Sequence, residues 1–361
     1  MKIDSSRYNK PASYSVGGNM PRLRIATLQL NPRIPAVKDN IAKAEKILSL
    51  AFPKNESPDL LILPEMALCG YNYSSPAQVK PVLESVERPG PMLRWAEDIS
   101  KKYGCFIVMG YPEWCSKQQQ IFNSAVVLDK SGQVIHRYRK SFLYETDEVW
   151  GCVEGPGFKS FQLCDGVKAS IGICMDLNPY QFKAPFTDFE FSSHCYEEGT
   201  NLIICPMNWL HGKSPSVQEG LTSYEKLALG AELQGALDEV DGEIVVNDKG
   251  SPIREYEENL AYQDLHEPDF HNLNYWLLRF FPFMNHARKP ATFDGKTTVV
   301  YCNRSGLEDT ILYGGTSSIV QFNGSKGFLG YNSIDLTNKS VDVLGALGKG
   351  DEGILIREVD I

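Results

Sequence analysis

Short apolar strands alternate with amphipathic helices from Leu23 to the end of the chain, and this alternation constrains the fold more than any other feature. Near-alternating β-forming residues in 23–30 predict a first strand, and apolar residues at helical spacing in 37–51 predict the helix that follows. Further predicted strands lie at 60–63, 105–109, 121–128, 134–138, 170–174, 202–205, 297–302, 317–322 and 353–357. Further predicted helices lie at 93–103, 185–198 and 221–237. Such mixed alternation predicts a layered α/β fold.

The ends of the chain bound the domain. Residues 1–20 carry three basic residues and one acid, with a Gly-Gly break, and are predicted to be a flexible tail. They mildly resemble a mitochondrial transit segment over residues 1–19, although an unstructured leader is the favoured interpretation. Residues 21–361 show no second core and are predicted to form a single domain. No apolar run reaches the roughly 18 residues that a membrane span requires, so none is expected.

Charge is concentrated in one segment. The chain has a net charge of −9, and the stretch 238–270 alone contains eleven acids and two bases. An acidic chain is atypical of nucleic-acid binders, so no nucleic-acid partner is expected. The stretch has few periodic apolar positions and is predicted to be an acidic surface insertion. The aromatic run 274–284 follows it, and packing in the core is favoured there over a partner surface.

The cysteines and glycines do not indicate a cofactor. The nine cysteines are odd in number and form no CxxC motif, which favours a reducing compartment, cytoplasmic and possibly also nuclear. No Cys/His spacing matches a zinc site, so no metal is expected. The segment 348–353 fits the GxGxxG pattern but lies before a predicted terminal strand rather than a helix. It is therefore interpreted as a turn, and no cofactor is expected.

Three reactive side chains lie at the ends of apolar strands. They are Glu65 in 61–71, Lys140 in 137–144 and Cys174 in 170–180. Taken singly, each has an ordinary interpretation: a surface cap, a solvated charge and a buried thiol. Taken together, they supply what a thiol hydrolase needs, because an ammonium lowers a thiol pKa and stabilises an oxyanion, and a carboxylate can carry the proton.

These three motifs, in this order, resemble those of the nitrilase (carbon–nitrogen hydrolase) superfamily. The resemblance covers about residues 22–361. It implies a four-layer αββα sandwich, with Glu65 as general base, Lys140 as electrostatic element and Cys174 as nucleophile. It also implies no metal and frequent dimerisation, so either a monomer or a homodimer is expected.

A narrower resemblance adds a substrate class. The segments 138–144, 169–180, 186–193, 205–209 and 274–283 look like those of fungal amidases that act on protein N-termini. Members of that group convert an N-terminal Asn or Gln to Asp or Glu with release of ammonia, which feeds a degradation pathway. The resemblance therefore implies peptide N-termini as substrate.

Supporting residues are assigned around the three motifs. Many superfamily members have a second Glu seven residues after the lysine; here that position is Asp147, with Glu148 next to it, and Asp147 is favoured. The backbone N–H of Met175 is the expected second oxyanion donor. A site for an N-terminal residue also needs a group for the α-ammonium, for which Asp176, Asp147 and Glu148 are candidates. Asn208 and Trp209 follow an apolar strand and are expected to line the substrate pocket.

Two alternatives stay open. Another carbon–nitrogen hydrolase, acting on a free small amide, a ureido acid or a nitrile, would keep the three catalytic residues but need an Arg or Lys clamp for a free carboxylate. A non-catalytic binding module is the distant alternative, against which the intact set of three residues argues. The preference for Asn or Gln is not predictable, since one methylene is worth only about 1–3 kcal/mol.

Overall fold

A computed structural model describes residues 21–54, 56–256, 262–284, 295–324 and 340–361. The predicted tail at 1–20 therefore lies outside the described residues. The strands are β1 (Arg22–Gln29), β2 (Leu60–Ile62), β3 (Phe106–Cys115), β4 (Gln120–Leu128), β5 (Val134–Arg139), β6 (Ser160–Cys164), β7 (Val167–Ile171), β8 (Leu202–Met207), β9 (Val245–Asn247), β10 (Thr297–Asn303), β11 (Leu307–Glu308), β12 (Ile311–Leu312), β13 (Ser318–Phe322), β14 (Val341–Ala346) and β15 (Gly353–Asp360). The α-helices are α1 (Val37–Ala51), α2 (Pro76–Val79), α3 (Pro91–Tyr103), α4 (Glu145–Val149), α5 (Glu190–Glu197), α6 (Ser223–Glu239) and α7 (Phe270–Arg279).

Two mixed sheets form the body of the protein. The first has the strand order β5-β4-β3-β2-β1-β15-β9, and the second has the order β14-β13-β10-β8-β7-β6. In the first, β1, β2 and β3 run parallel, so the chain after β2 emerges at the same edge as the chain after β1. In the second, β7, β8 and β10 run parallel. Parallel neighbours require helical crossovers, which explains the alternation of strands and helices in the sequence.

The side chains sort into three apolar layers. Ile62 of β2 and Ile171 of β7 belong to the layer between the two sheets. The intervening Leu61 points to the opposite face, where α1 and α3 cover the first sheet. On the far side of the second sheet, α5 and α7 pack against residues such as Tyr301 and Val320. This arrangement is the predicted four-layer αββα sandwich.

Local signals account for several element boundaries. Helix α3 ends where Gly104 adopts a left-handed conformation with φ of 60°. Helix α6 begins at a capping box in which Thr222 and Glu225 exchange hydrogen bonds. The run 274–284 packs in the core, as predicted, because Trp276 and Leu277 of α7 are fully buried. None of the helices in the described part of the chain combines the length and apolarity that a membrane crossing requires.

The structure corrects two details of the sequence interpretation. The predicted helix 185–198 is shorter: a 3-10 turn covers 186–188, and Phe189 has a left-handed φ of 49° before α5 begins. The predicted strand 170–174 is displaced, since β7 spans Val167–Ile171. The described part of the stretch 238–270, which remains a predicted insertion, also pairs with both sheets. It supplies β9 to the edge of the first sheet, and Ile253 forms a bridge to Val343 at the edge of the second.

The glycines of the pattern at 348–353 pack closely against the backbone of this stretch. A Cβ on Gly353 would lie 2.0 Å from the carbonyl oxygen of Val245, and one on Gly348 would lie 2.5 Å from the backbone of His266. Only glycine permits such close backbone approach. The pattern is thus a turn, and its glycines serve the fold.

Candidate active site

Glu65 is held in place by a close approach of two backbones. It follows β2, and Met66 reverses the chain with a positive φ of 49°. On the neighbouring β3, a Cβ on Gly110 would lie 2.6 Å from the Cα of Glu65, so a glycine is required there. The Gly110 N–H donates to the carbonyl of Pro64 at 3.2 Å. The carboxyl group of Glu65 is consequently fixed and fully buried at the sheet edge.

Lys140 and Asp147 are brought together by a short helix. Lys140 follows β5, and Asp147 lies in the first turn of α4, where its carboxylate accepts the N–H of Tyr144 at 2.9 Å. A carboxylate at this position also complements the helix N-terminus. Asp147 is fully buried, whereas the neighbouring Glu148 is exposed to solvent. The structure therefore places Asp147, and not Glu148, next to the lysine.

A buried four-residue cluster results. The Lys140 Nζ donates to Glu65 Oε1 and to Asp147 Oδ2, both at 2.7 Å. The Asn123 Nδ2 also bridges the two acids, donating to Glu65 Oε1 at 2.6 Å and to Asp147 Oδ1 at 2.8 Å. All four side chains are completely buried. Glu65 Oε2 has no hydrogen-bond partner within the described part of the chain, so one carboxylate oxygen stays free.

Burial and mutual charge set the protonation of this cluster. Burial and the neighbouring Asp147 raise the pKa of Glu65, which the ammonium of Lys140 partly counteracts. Burial lowers the pKa of Lys140, but Asp147 and Glu65 outweigh it, and the net shift is well upward. The lysine therefore holds its charge more firmly than a free lysine does, and Glu65 binds a proton more readily than a free carboxyl group does.

Cys174 lies at the opening of a short 3-10 helix, Cys174–Leu177, just after β7. Its φ of 43° is in the left-handed region, which non-glycine residues adopt rarely and most often at functional sites. Burial and the charge of Glu65 raise the pKa of the Cys174 thiol well above its usual value, although Lys140 acts in the opposite direction. The resting side chain is thus a thiol, whose proton must be removed before it can attack.

Asp176, a candidate for binding the substrate α-ammonium, is instead hydrogen-bonded within the protein. Its carboxylate accepts four hydrogen bonds, of 2.7 to 3.0 Å, from Ile173 N, Phe142 N, Ser141 N and the hydroxyl of Tyr138. Both oxygens are thereby occupied, and Asp176 is not among the residues that line the cavity described below. It joins the loop after Lys140 to the loop of Cys174 and is not available to a substrate ammonium.

A cavity of about 200 Å³ opens above the thiol. Its lining residues are mainly aromatic or uncharged polar: Tyr71, Tyr144, Cys174, Met175, Asn178, Phe182, Asn208, Trp209 and Leu210. The predicted pocket residues Asn208 and Trp209 are both present. The Asn208 side chain is nearly fully buried, and neither its oxygen nor its nitrogen has a hydrogen-bond partner in the described residues. Buried polar groups are normally hydrogen-bonded, so this amide beside the cavity is an exception.

Several residues of the site escaped the sequence interpretation. Asn123 had a weak signal, since it is a polar residue in the middle of the mainly apolar strand β4. Tyr275 lies in the segment 274–283 that carries the narrower resemblance, but no role was assigned to it. It reaches the site from α7, about a hundred residues away, and its hydroxyl donates to Asn178 Oδ1 at 2.7 Å. Phe182 is visible only in the structure, where the loop after Cys174 turns it over the cavity.

Comparison with known proteins agrees with this geometry. The model of the carbon–nitrogen hydrolase family matches residues 24–180, which include Glu65, Lys140 and Cys174. The chain belongs to the carbon–nitrogen hydrolase family, and it is an amidohydrolase by class.

Within the family, the chain is similar to protein N-terminal amidases. It is 32% identical to the one from Saccharomyces cerevisiae, with 93% of this chain and 95% of that protein covered. It is 26% identical to the one from Schizosaccharomyces pombe, over 94% and 100% of the two chains. A crystal structure of an N-terminal amidase with a Gln-Gly peptide superimposes with a TM-score of 0.81 at 32% identity, covering 94% of this chain and 97% of that one.

Proposed function

We propose that this protein hydrolyses the side-chain amide of an N-terminal Asn or Gln in peptides and proteins, giving Asp or Glu and ammonia. The observation that carries the proposal is the lining of the cavity above Cys174, which contains no Arg or Lys among the residues that the structure describes. An amidase for a ureido acid, or for a free small amide that bears a carboxylate, would need such a cation to bind that carboxylate. A peptide N-terminus has no carboxylate at that place and brings a cation instead.

The comparisons support the same substrate class. Related crystal structures contain Gln-Gly and Asn-Glu peptides, and they match this chain at 32% identity with TM-scores of 0.81 and 0.82. The cavity volume of about 200 Å³ also suits one amino-acid residue rather than a longer segment. The rest of a bound peptide would then extend into solvent.

The proposed chemistry begins with proton transfer. Glu65, through its free Oε2, accepts the thiol proton of Cys174, and the sulfur attacks the carboxamide carbon. The oxygen of the tetrahedral intermediate is stabilised by the Lys140 ammonium and the backbone N–H of Met175. The protonated Glu65 then gives its proton to the departing nitrogen, so that ammonia leaves and a thioester remains.

Hydrolysis of the thioester completes the cycle. A water molecule loses a proton to Glu65 and attacks the acyl carbon, and the thiolate leaves and recovers the proton. Asp147 and Asn123 fix the positions of Glu65 and Lys140 through hydrogen bonds. Asn208, with its unpartnered amide, binds the substrate beside the sulfur.

Ammonia release with a mass check for amide-to-acid conversion tests the proposal. The substrates are Gln- and Asn-initiated peptides, their N-acetylated forms, and free Gln and Asn. Turnover confined to peptides with a free α-amine is expected, and Cys174→Ala should reduce it more than a thousandfold while the protein stays folded. The matched control is Cys115→Ala, a half-buried thiol outside the cavity, which should retain full activity. Turnover of free amino acids, or wild-type turnover by Cys174→Ala, would refute the proposal.

We also propose, from nine free thiols in the described residues, that the enzyme acts in a reducing compartment such as the cytoplasm. We also propose that the protein is a monomer or a homodimer.

A further inference from the structure

An N-terminal amidase must distinguish a free α-ammonium from a blocked or neutral chain end. The buried acids near Cys174 are unsuited to this task. Asp147 already accepts hydrogen bonds from Lys140, Asn123 and the Tyr144 backbone. Asp176 accepts four other hydrogen bonds. Among the described residues, none that lines the cavity is a carboxylate.

The wall of the cavity is built from aromatic rings instead. Tyr71, Tyr144, Phe182 and Trp209 supply four of its lining side chains. The Tyr71 ring already faces a cation, since Lys140 Nζ lies 5.7 Å from its centroid. The Tyr144 and Phe182 rings stand almost perpendicular, at 84°, with centroids 6.5 Å apart. Aromatic cages bind ammonium groups through ring faces that lie within about 6 Å of the cation, and four rings line this cavity.

Phe182 is held in this position against two ordinary preferences. Its side chain is 60% exposed, although burial would be favourable for a phenylalanine. Its φ of 54°, like that of Gln181, lies in the left-handed region, which is costly for residues with a Cβ. Strain combined with exposure of an aromatic side chain indicates a ligand-binding role.

The loop that carries Phe182 is firmly anchored. The N–H of Tyr180 donates to Glu190 Oε1 at 3.0 Å, and Phe182 N–H donates to the Pro179 carbonyl at 2.9 Å. Arg279 of α7 donates from Nη1 to the carbonyl of Phe186 and lies 3.3 Å from Glu190 through Nη2. These contacts hold the backbone of the loop that places Phe182 in the lining of the cavity.

We propose that Phe182, Tyr144 and Trp209 form an aromatic cage that binds the substrate α-ammonium by cation–π attraction and thereby selects free N-termini. This inference rests on the proposed function, because it concerns the same cavity. A cage of this kind reads positive charge and does not require N–H donors on the ligand. Hydrogen bonding to carbonyl oxygens would require those donors, and no carboxylate lines the cavity in the described part of the chain.

A pair of substrates of equal shape tests this distinction. One Gln-initiated peptide carries an α-trimethylammonium group, and its neutral partner carries a tert-butyl group in the same place. We expect kcat/KM to be about 2- to 30-fold higher for the cationic member, which is the range of one cation–π interaction. Equal rates for the two would overturn the cage. Absence of turnover for the unmodified Gln peptide would instead refute the proposed function itself.

Variants of Phe182 provide an independent test. Phe182→Leu keeps an apolar side chain without a π face, and it should lower kcat/KM for free-amine peptides about 2- to 30-fold but not for the tert-butyl peptide. Phe182→Tyr should retain activity, and fluorinated phenylalanines at this position should lower it in proportion to their fluorine content. The control is Tyr224→Leu, an exposed aromatic residue of α6 that does not line the cavity. Equal losses in Phe182→Leu and Tyr224→Leu, or a loss with both substrates, would refute the cage.

Discussion

Two buried ion pairs near the cavity have the same nitrogen–oxygen distance but leave their carboxylates with different hydrogen-bonding capacity. Lys140 contacts Glu65 at 2.7 Å, and Arg304 contacts Glu308 at 2.7 Å. Glu308 uses both oxygens for structure, accepting the N–H groups of Tyr71 and Asn72 and the hydroxyl of Tyr313. Glu65 directs its donors to one oxygen and leaves the other without a partner in the described residues. A saturated carboxylate stabilises a loop, whereas a carboxylate with a free oxygen can accept a proton.

The matched substitutions Glu65→Gln and Glu308→Gln are the strongest test of this contrast. Loss of the general base in Glu65→Gln should lower kcat by about 10²- to 10⁴-fold with little change in unfolding free energy. Glu308→Gln leaves the buried Arg304 uncompensated and should cost about 3–5 kcal/mol of stability, with a much smaller loss of kcat in the folded protein. Ammonia release and urea unfolding measure the two effects. The contrast would fail if both variants lost activity and stability alike.

The pH dependence of kcat/KM sharpens the account of the catalytic pair. Glu65 must be deprotonated to act, so activity falls as the pH drops through its raised pKa. Because the charge of Asp147 raises that pKa, Asp147→Asn should move the acidic limb to lower pH. Because Lys140 lowers it, Lys140→Met should move the limb to higher pH, with a loss of roughly 10²-fold in kcat from the oxyanion site. Shifts in the same direction for both variants would contradict the electrostatic assignment.

Asp176 resembles Glu308 rather than Glu65, because both of its carboxylate oxygens accept hydrogen bonds. Burial raises its pKa to about 7, yet both oxygens are occupied by donors. Asp176→Asn places an NH₂ group against at least one of those donors and should cost about 1–3 kcal/mol in stability. The expected kinetic signature is a fall in kcat without selectivity for charged over neutral chain ends. A rise in KM specific to free-amine substrates would return Asp176 to the binding site.

The smallest expected effect concerns Asn208, whose buried amide has no partner in the described residues. Asn208→Leu removes an unsatisfied polar group, so the melting temperature should stay the same or rise. At the same time, kcat/KM for Gln peptides should fall by about 2- to 10-fold, the worth of one hydrogen bond. Calorimetry and ammonia release measure the two quantities. Lower stability with unchanged activity would show that Asn208 serves the fold.

The sequence predicted the fold and the three reactive residues for related physical reasons. Strand and helix periodicities act over a few residues, so elements such as β2, β8 and α1 were predicted close to their observed positions. The strand predicted at 170–174 is displaced, since β7 spans Val167–Ile171. Short or irregular elements were missed, including β9 in the acidic stretch and β14. Those strands are stabilised by pairing with β15 and β13, distant in the chain, and not by their own pattern.

The sequence by itself determined the layered α/β class and the placement of Glu65, Lys140 and Cys174 at strand ends, because these follow from local periodicity. The four-layer arrangement was implied only by the resemblance to the carbon–nitrogen hydrolase superfamily. Only the tertiary structure decided between Asp147 and Glu148, since adjacent residues of a helix face opposite surroundings. It also decided that Asp176 is saturated and that Phe182 and Tyr144 stand around the cavity. Those outcomes depend on which donors and rings arrive from distant segments, and no spacing along one chain encodes that.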